Sequence, residues 1–202
     1  PVPAAGTGCL YLHVPFCQTL CPFCSFHRVP HRHPQAQRYF HSLRQEIHLY
    51  HEAGFRFSSA YFGGGTPTTE SEELVETIQL VRELFGLREI SVETNPKDLR
   101  PEILEPLRAA GVTRLSVGVQ SFDDRLLREM ERYENYGSGA EAADHLRQAV
   151  GILVPKRPAR RHRGKGAGIS DSAILDQQTP FAGQCAAANP GGPARRHRLQ
   201  SC

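Results

Sequence analysis

Three of the six cysteines in this 202-residue chain fall within eight positions, as Cys17, Cys21 and Cys24 in PFCQTLCPFC. Cys9, Cys185 and Cys202 stand apart from them. A C-x3-C-x2-C spacing lets a single loop present three thiolates to one inorganic centre. A cubane [4Fe-4S] cluster has four irons, and complete protein ligation takes four thiolates. Three thiolates hold three corners and leave one iron open to a small molecule, just as catalytic zinc keeps a position that structural zinc fills. The missing fourth cysteine is therefore informative. A structural zinc site completed by His27 or another histidine is the other arrangement open to three cysteines. Zinc ribbons, however, present two cysteine pairs, and no second pair follows here.

Further polar or glycine-rich stretches accompany the trio: Gly63-Gly64-Gly65-Thr66-Pro67, ETNP around Glu93, and VQSF around Gln120. Glycines permit close backbone approach and positive φ, and free amides at Gly64, Gly65 and Thr66 would suit the polar end of a cofactor. With no ligand they make a tight turn. Glu93 alternates with Val92 and is expected inside the fold, where a carboxylate needs a partner. HRVPHRH supplies His27, His31 and His33, which read either as metal or heme ligands or as a solvated loop.

The elements that position these residues repeat a strand-then-helix order. Leu10, Leu12 and Val14 alternate with Tyr11 and His13, as in a strand with one polar face. Phe40, Leu43, Ile47 and Tyr50 then follow helical spacing after Pro34, up to Gly54. SSAYFGGG is a second strand. Thr69-Glu70-Ser71-Glu72 reads as a capping box for a helix that carries Leu74, Ile78, Val81 and Phe85 on one face. EISVETNP is a third strand, and a helix runs from about Pro101 to Gly111, with Pro106 predicting a late start or a kink. TRLSVGVQSF is a fourth strand, with helical segments at 123–131 and 139–150 after it.

Alternating strands and helices predict an α/β fold with a parallel sheet, either doubly wound or a partial (β/α) barrel of about four βα units. Every polar feature falls at the carboxyl end of a strand, which favours the barrel. Residues 1–8 read as an N-terminal extension, 9–150 as the partial barrel, and 151–202 as a disordered Arg/Pro/Gly-rich tail. Charge divides the chain similarly. Residues 1–154 carry 15 Lys and Arg against 19 Asp and Glu, whereas 155–202 carry 9 against 2. The abrupt change suggests a truncated frame continued in an unrelated one. The basic tail lacks the interleaved aromatics of a specific nucleic-acid binder. No apolar run nears the roughly 20 residues of a membrane span, and PVPAAGTG has no secretory-signal pattern, so a cytoplasmic protein is expected.

YLHVPFCQTLCPFCSF, YFGGGTPT, VETNP and GVTRLSVGVQSFDD together resemble the radical S-adenosylmethionine enzymes related to oxygen-independent coproporphyrinogen oxidase, over about residues 9–150. The resemblance implies that Cys17, Cys21 and Cys24 hold a [4Fe-4S] cluster whose open iron chelates S-adenosylmethionine. One electron from the reduced cluster then cleaves the sulfonium to methionine and a 5′-deoxyadenosyl radical. It implies that Tyr11, Gly64, Gly65, Thr66 and Glu93 contact a first S-adenosylmethionine, and that Phe23, Gln120 and Arg132 contact a second. Without those ligands, Glu93 and Gln120 would be interior polar groups, Arg132 a solvated charge, and Tyr11 and Phe23 core residues.

The oxidases resemble C-x3-C-x2-C-x-C, but Phe26 occupies the last position here. CPFCSFHRV and LLREMERYENYGSG resemble the heme-utilisation branch, anaerobic methyltransferases that open heme to anaerobilin. That branch implies a heme or related tetrapyrrole substrate and a flavodoxin or ferredoxin as electron donor. The coproporphyrinogen oxidase-like and heme-carrier activities are the alternatives. Family members complete about six βα units, so a four-strand chain that exposes an aggregation-prone edge and is an inactive truncation is the third alternative.

Overall fold

The structure, a computed structural model, describes residues 8–153. The expected tail lies outside these residues except for 151–153, which finish the last helix, and so do Cys185 and Cys202.

Four strands form one parallel sheet in the order β1 (Gly8–Val14), β4 (Phe57–Gly64), β5 (Glu89–Thr94), β6 (Arg114–Val117). The helices α1 (His33–Glu52), α2 (Ser71–Phe85) and α3 (Pro101–Ala110) connect them, one per crossover. Alternation along each strand explains how the sheet is covered. Leu12, Val14, Ala60, Phe62, Ile90 and Val92 share the face that packs on Phe40 and Ile47 of α1, Leu74, Ile78 and Val81 of α2, and Ile103 and Leu107 of α3. The intervening residues Tyr11, His13, Tyr61, Gly63, Ser91 and Glu93 share the opposite face, in register across the sheet. That face is polar and is where side-chain chemistry gathers. A second apolar cluster, with Leu99, Leu104 and Ala149 buried and Leu115 and Val117 against them, seats α6 (Gly139–Leu153) over the β6 side.

Several local expectations change. Two short strands that no periodicity could reveal, β2 (Phe16–Cys17) and β3 (Val29–Pro30), pair in parallel and clip together the two ends of the cysteine loop. The capping box does not form. Residues Pro67–Glu70 make a 3-10 turn, α2 starts without a side-chain cap, and the Glu70 carboxylate instead accepts from His31 Nε2 at 2.6 Å and His33 Nδ1 at 2.8 Å. Those two histidines are therefore hydrogen-bond partners of a buried glutamate, His31 half-buried and His33 still largely in solvent, as the solvated-loop reading has it. The helix containing Pro106 begins at Pro101 and continues to Ala110, so the late start is not seen. The expected helix at 123–131 forms as α4 (Asp124–Glu129), capped by the Asp123 carboxylate, and a short helix that was not expected, α5 (Tyr133–Tyr136), follows it. β6 stops at Val117, because after Gly118 N makes the last bond to Thr94 O of β5, Val119 N turns back to Val117 O. Gln120 accordingly lies beyond the strand, exposed and in the left-handed region at φ 71°.

Phe62 and Ile78 are fully buried between the sheet and its helices. Phe62→Ala is expected to cost about 3–5 kcal/mol and Ile78→Ala about 2–5 kcal/mol. Urea denaturation followed by circular dichroism measures both.

Candidate functional site

The cysteine loop rises from the carboxyl end of β1. Its base is fixed by backbone bonds: Val29 N to Pro15 O at 2.8 Å, and His31 N to Cys17 O at 2.8 Å. Within the loop the Arg28 guanidinium donates to the carbonyls of Cys21 and Cys24, the latter at 2.9 Å. These contacts fold the loop back on itself and gather Cys17, Cys21 and Cys24 on one side. Cys17 and Cys21 are buried, Cys24 is half-buried, and all three are free thiols. Burial pushes the Cys17 thiol up, against the opposing hydrogen bond from Thr66.

The glycine run passes directly beneath. Gly65 N donates to Val14 O and Thr66 N to Phe16 O, both at 2.8 Å, while Gly64 N donates to Glu93 Oε2 at 3.0 Å. The amides expected to be free for a cofactor are thus spent within the protein. What the glycines supply is proximity. A Cβ on Gly65 would lie 2.6 Å from Phe16 O and 2.8 Å from Pro15 C, and one on Gly63 would lie 2.7 Å from the Tyr61 ring and 3.1 Å from the Glu93 carboxyl carbon.

Glu93 has the partner that its position demanded: Tyr61 OH donates to Oε1 at 2.7 Å. Burial first, and then that bond, push the Tyr61 phenol well up, so it remains a donor. The carboxylate has about four acceptor sites, and two are used, leaving capacity for a cationic ligand above the sheet. Tyr11 stacks on Tyr61 with ring centres 5.9 Å apart. It is 48% exposed on this same face, so it is not core. Tyr11 OH lies 3.1 Å from His13 Nδ1, and His13 Nε2 lies 2.9 Å from the carbonyl of His27.

Arg132 departs most from its plain reading. The left-handed Glu131, at φ 55°, ends α4 and turns the next residue inward. Arg132 is only 3% exposed. Its Nη1 donates to Cys21 Sγ at 3.3 Å, and its Nη2 to Gly118 O at 2.6 Å and Asn95 Oδ1 at 3.2 Å. Its guanidinium carbon lies 3.9 Å from the centre of the Tyr136 ring. Burial and the nearby Cys21 push the Tyr136 phenol up to about 12, against the lowering effect of Arg132. Phe23 is 46% exposed at the loop tip and Gln120 is solvated near Gly118, so neither joins this group. Tyr61, Asn95, Arg28 and Tyr136 are participants that the sequence reading did not assign. Asn95 and Tyr61 had a usable signal, since one lies in ETNP and the other alternates onto the face of Glu93.

The donor set fits an anionic iron-sulfur cluster. Three free thiols stand beside two guanidiniums, and the Nε atoms of Arg28 and Arg132 are buried with no partner. Among the described residues no three His, Cys, Asp or Glu groups gather tightly enough for a single metal ion, which a zinc site completed by His27 would require. The thiolates of a cube each take a different iron and stand farther apart.

The Radical SAM superfamily profile matches residues 11–153, and the chain belongs to that superfamily, whose members use a [4Fe-4S] cluster and S-adenosylmethionine. Within it, the chain is similar to oxygen-independent coproporphyrinogen III oxidase of Bradyrhizobium diazoefficiens, 36% identical over 156 residues, covering 73% of this chain and 35% of that protein. The heme chaperone HemW of Bacillus subtilis is 37% identical over 129 residues, covering 60% and 34%. The solved structure of coproporphyrinogen III oxidase (HemN) from Escherichia coli, a radical SAM enzyme, superimposes with a TM-score of 0.64 at 33% identity, covering 73% of this chain and 35% of that one. The chain thus spans about a third of the length of these relatives. No helix among the described residues is long and apolar enough to cross a membrane.

Gly65→Ala tests the close approach. A methyl group there meets backbone atoms that cannot rotate away, so β2 must shift. The expected outcome is a folded protein, with unchanged far-ultraviolet circular dichroism, that incorporates less iron and sulfide per chain than wild type.

Proposed function

We propose that this chain is the cluster- and cofactor-binding portion of a radical S-adenosylmethionine enzyme that acts on a tetrapyrrole. The observation that carries the proposal is the joining of two groups at the carboxyl ends of the strands. The thiol loop and a half-buried carboxylate, held by Tyr61 and Gly64, lie on opposite sides of the glycine run. Cys17, Cys21 and Cys24 would hold three irons, and the lone pairs left on Glu93 would hold the cationic end of the cofactor. When bound, the cluster supplies one electron and S-adenosylmethionine the sulfonium bond that this electron breaks. The chain's own residues bind and orient. Tyr61 holds the Glu93 carboxylate aimed, Tyr11 walls the face beside it, and Arg28 and Arg132 balance the negative charge of the loaded loop.

The tetrapyrrole assignment draws on relatives named for coproporphyrinogen oxidation and heme carriage. The finer reading, heme opened by methyl transfer, rests on CPFCSFHRV and LLREMERYENYGSG alone. Arg132 and Tyr136 of the second stretch stand beside Cys21, which gives that stretch a part in the site whichever chemistry holds. A flavodoxin or ferredoxin would be the electron donor.

Anaerobic reconstitution with iron and sulfide, followed by dithionite, S-adenosylmethionine and either heme or coproporphyrinogen, tests the proposal. It expects a brown protein that releases 5′-deoxyadenosine. A methylated linear tetrapyrrole identifies the heme-opening enzyme, and a decarboxylated porphyrinogen the oxidase. Heme uptake without cofactor cleavage identifies a carrier and refutes turnover, and a colourless protein refutes the whole reading. Alanine at Cys17, Cys21 or Cys24 is expected to abolish the charge-transfer absorbance. Glu93→Gln is expected to keep the cluster but weaken S-adenosylmethionine binding roughly 10- to 100-fold, as loss of a charged hydrogen bond does. Titration of the cluster's paramagnetic resonance signal with the cofactor measures that affinity.

A further inference from the structure

A continuous chain of side chains connects two of the three cysteine sulfurs. Cys17 Sγ lies 3.8 Å from Thr66 Oγ1. Thr66 Oγ1 lies 2.7 Å from Asn95 Nδ2, Asn95 Oδ1 lies 3.2 Å from Arg132 Nη2, and Arg132 Nη1 lies 3.3 Å from Cys21 Sγ. Thr66 and Arg132 are both buried, so water does not supply these partners.

The direction of every bond follows from elementary donor and acceptor counts. A guanidinium can only donate, so the oxygen of the Asn95 amide must face Arg132 and its NH2 must face Thr66. Thr66 Oγ1 therefore accepts from Asn95. That leaves its own hydroxyl proton to point at Cys17 Sγ, the remaining neighbour. At the other end, Arg132 is held by Gly118 O and by the Tyr136 ring, which aims its second NH2 at Cys21 Sγ. One amide thus orients two donors toward two different sulfurs.

We propose that Asn95 is a positioning residue that sets the reduction potential of the iron-sulfur cluster, acting through Thr66 on Cys17 and through Arg132 on Cys21; this rests on the cluster assignment made above. One-electron reduction of the cube from the 2+ to the 1+ state adds negative charge, part of which falls on the thiolate sulfurs. Hydrogen bonds donated to those sulfurs stabilise the reduced form and raise the potential. Asn95 touches neither sulfur, so its influence depends on relaying orientation. A residue there without an amide group would free the Thr66 hydroxyl to turn away and would loosen Arg132.

The test is a dithionite-poised redox titration of the reconstituted protein, read by the paramagnetic resonance of the reduced cluster. No S-adenosylmethionine is added, so a cofactor contact by Arg132 does not enter. Only loaded molecules give signal, so a variant with low occupancy still reports its potential. Thr66→Val and Asn95→Ala are each expected to shift the midpoint to more negative values, and Thr66→Ser, which keeps the hydroxyl, to restore the wild-type value. The double variant Thr66→Val/Asn95→Ala is expected to shift by less than the sum of the two, since part of the Asn95 effect passes through Thr66. In resonance Raman spectra, the iron-thiolate stretch of wild type and Thr66→Ser is expected to move on transfer to deuterium oxide, and to move less in Thr66→Val. A wild-type potential in Thr66→Val or Asn95→Ala, or strictly additive shifts in the double variant, overturns the relay. A wild-type chain that takes up no cluster overturns the cluster assignment itself, a different failure from a loaded protein whose potential ignores these substitutions.

Discussion

Backbone passes against backbone where Gly65 meets Pro15 and Phe16, and much of the site depends on that contact. Phe16 lies between β3, which pairs with it on one side, and Thr66, whose amide bonds its carbonyl on the other. Cys17 follows immediately, so its main chain is placed by neighbours that cannot rotate. A side chain at position 65 would hold these segments apart, and the loss would reach Thr66, Asn95 and Arg132 in turn. The members of the site are joined through main chain at closest approach, while the side chains add direction.

Two faces of one sheet divide the work. Apolar residues at alternate positions seal one face under α1, α2 and α3 and supply the energy of folding. The other face carries Tyr11, His13, Tyr61 and Glu93 in register, where neighbouring strands bring them within bonding distance. Parallel strands deliver all their carboxyl ends to one edge. The cysteine loop, the glycine run and ETNP meet there although they are tens of residues apart in the chain.

Much of this was legible in the residues. Strict alternation in LYLHV and EISVET identified β1 and β5, and the spacing of Leu74, Ile78 and Val81 identified α2, because both periods are set by burial on one side. The cysteine trio and Glu93 could be picked out by chemistry alone. What escaped had no local signature. β2 and β3 are two residues each, too short for any period, and exist because the loop closes on itself. Thr69 to Glu72 looked like a capping box, but α2 begins at Ser71 without one, and the Glu70 carboxylate lies within reach of two histidines nearly forty residues earlier. Gln120 belongs to an alternating run by sequence, yet the turn at Gly118 ends β6 before it. Arg132 was singled out only by the family resemblance, as a cofactor contact; its surroundings in the chain read as surface charge, and the turn at Glu131 is what brings it under Cys21.

The clip formed by β2 and β3 also bears on how iron would arrive. A flexible loop must give up conformational freedom as each ligand closes on the metal, and that loss opposes binding. Here the two ends are already tied by main-chain bonds, and Arg28 holds the turn between. Once one thiolate captures an iron, the other two are confined nearby at high effective concentration. Chelation of an assembled cube then proceeds with little further ordering, and detachment of a single sulfur is readily reversed.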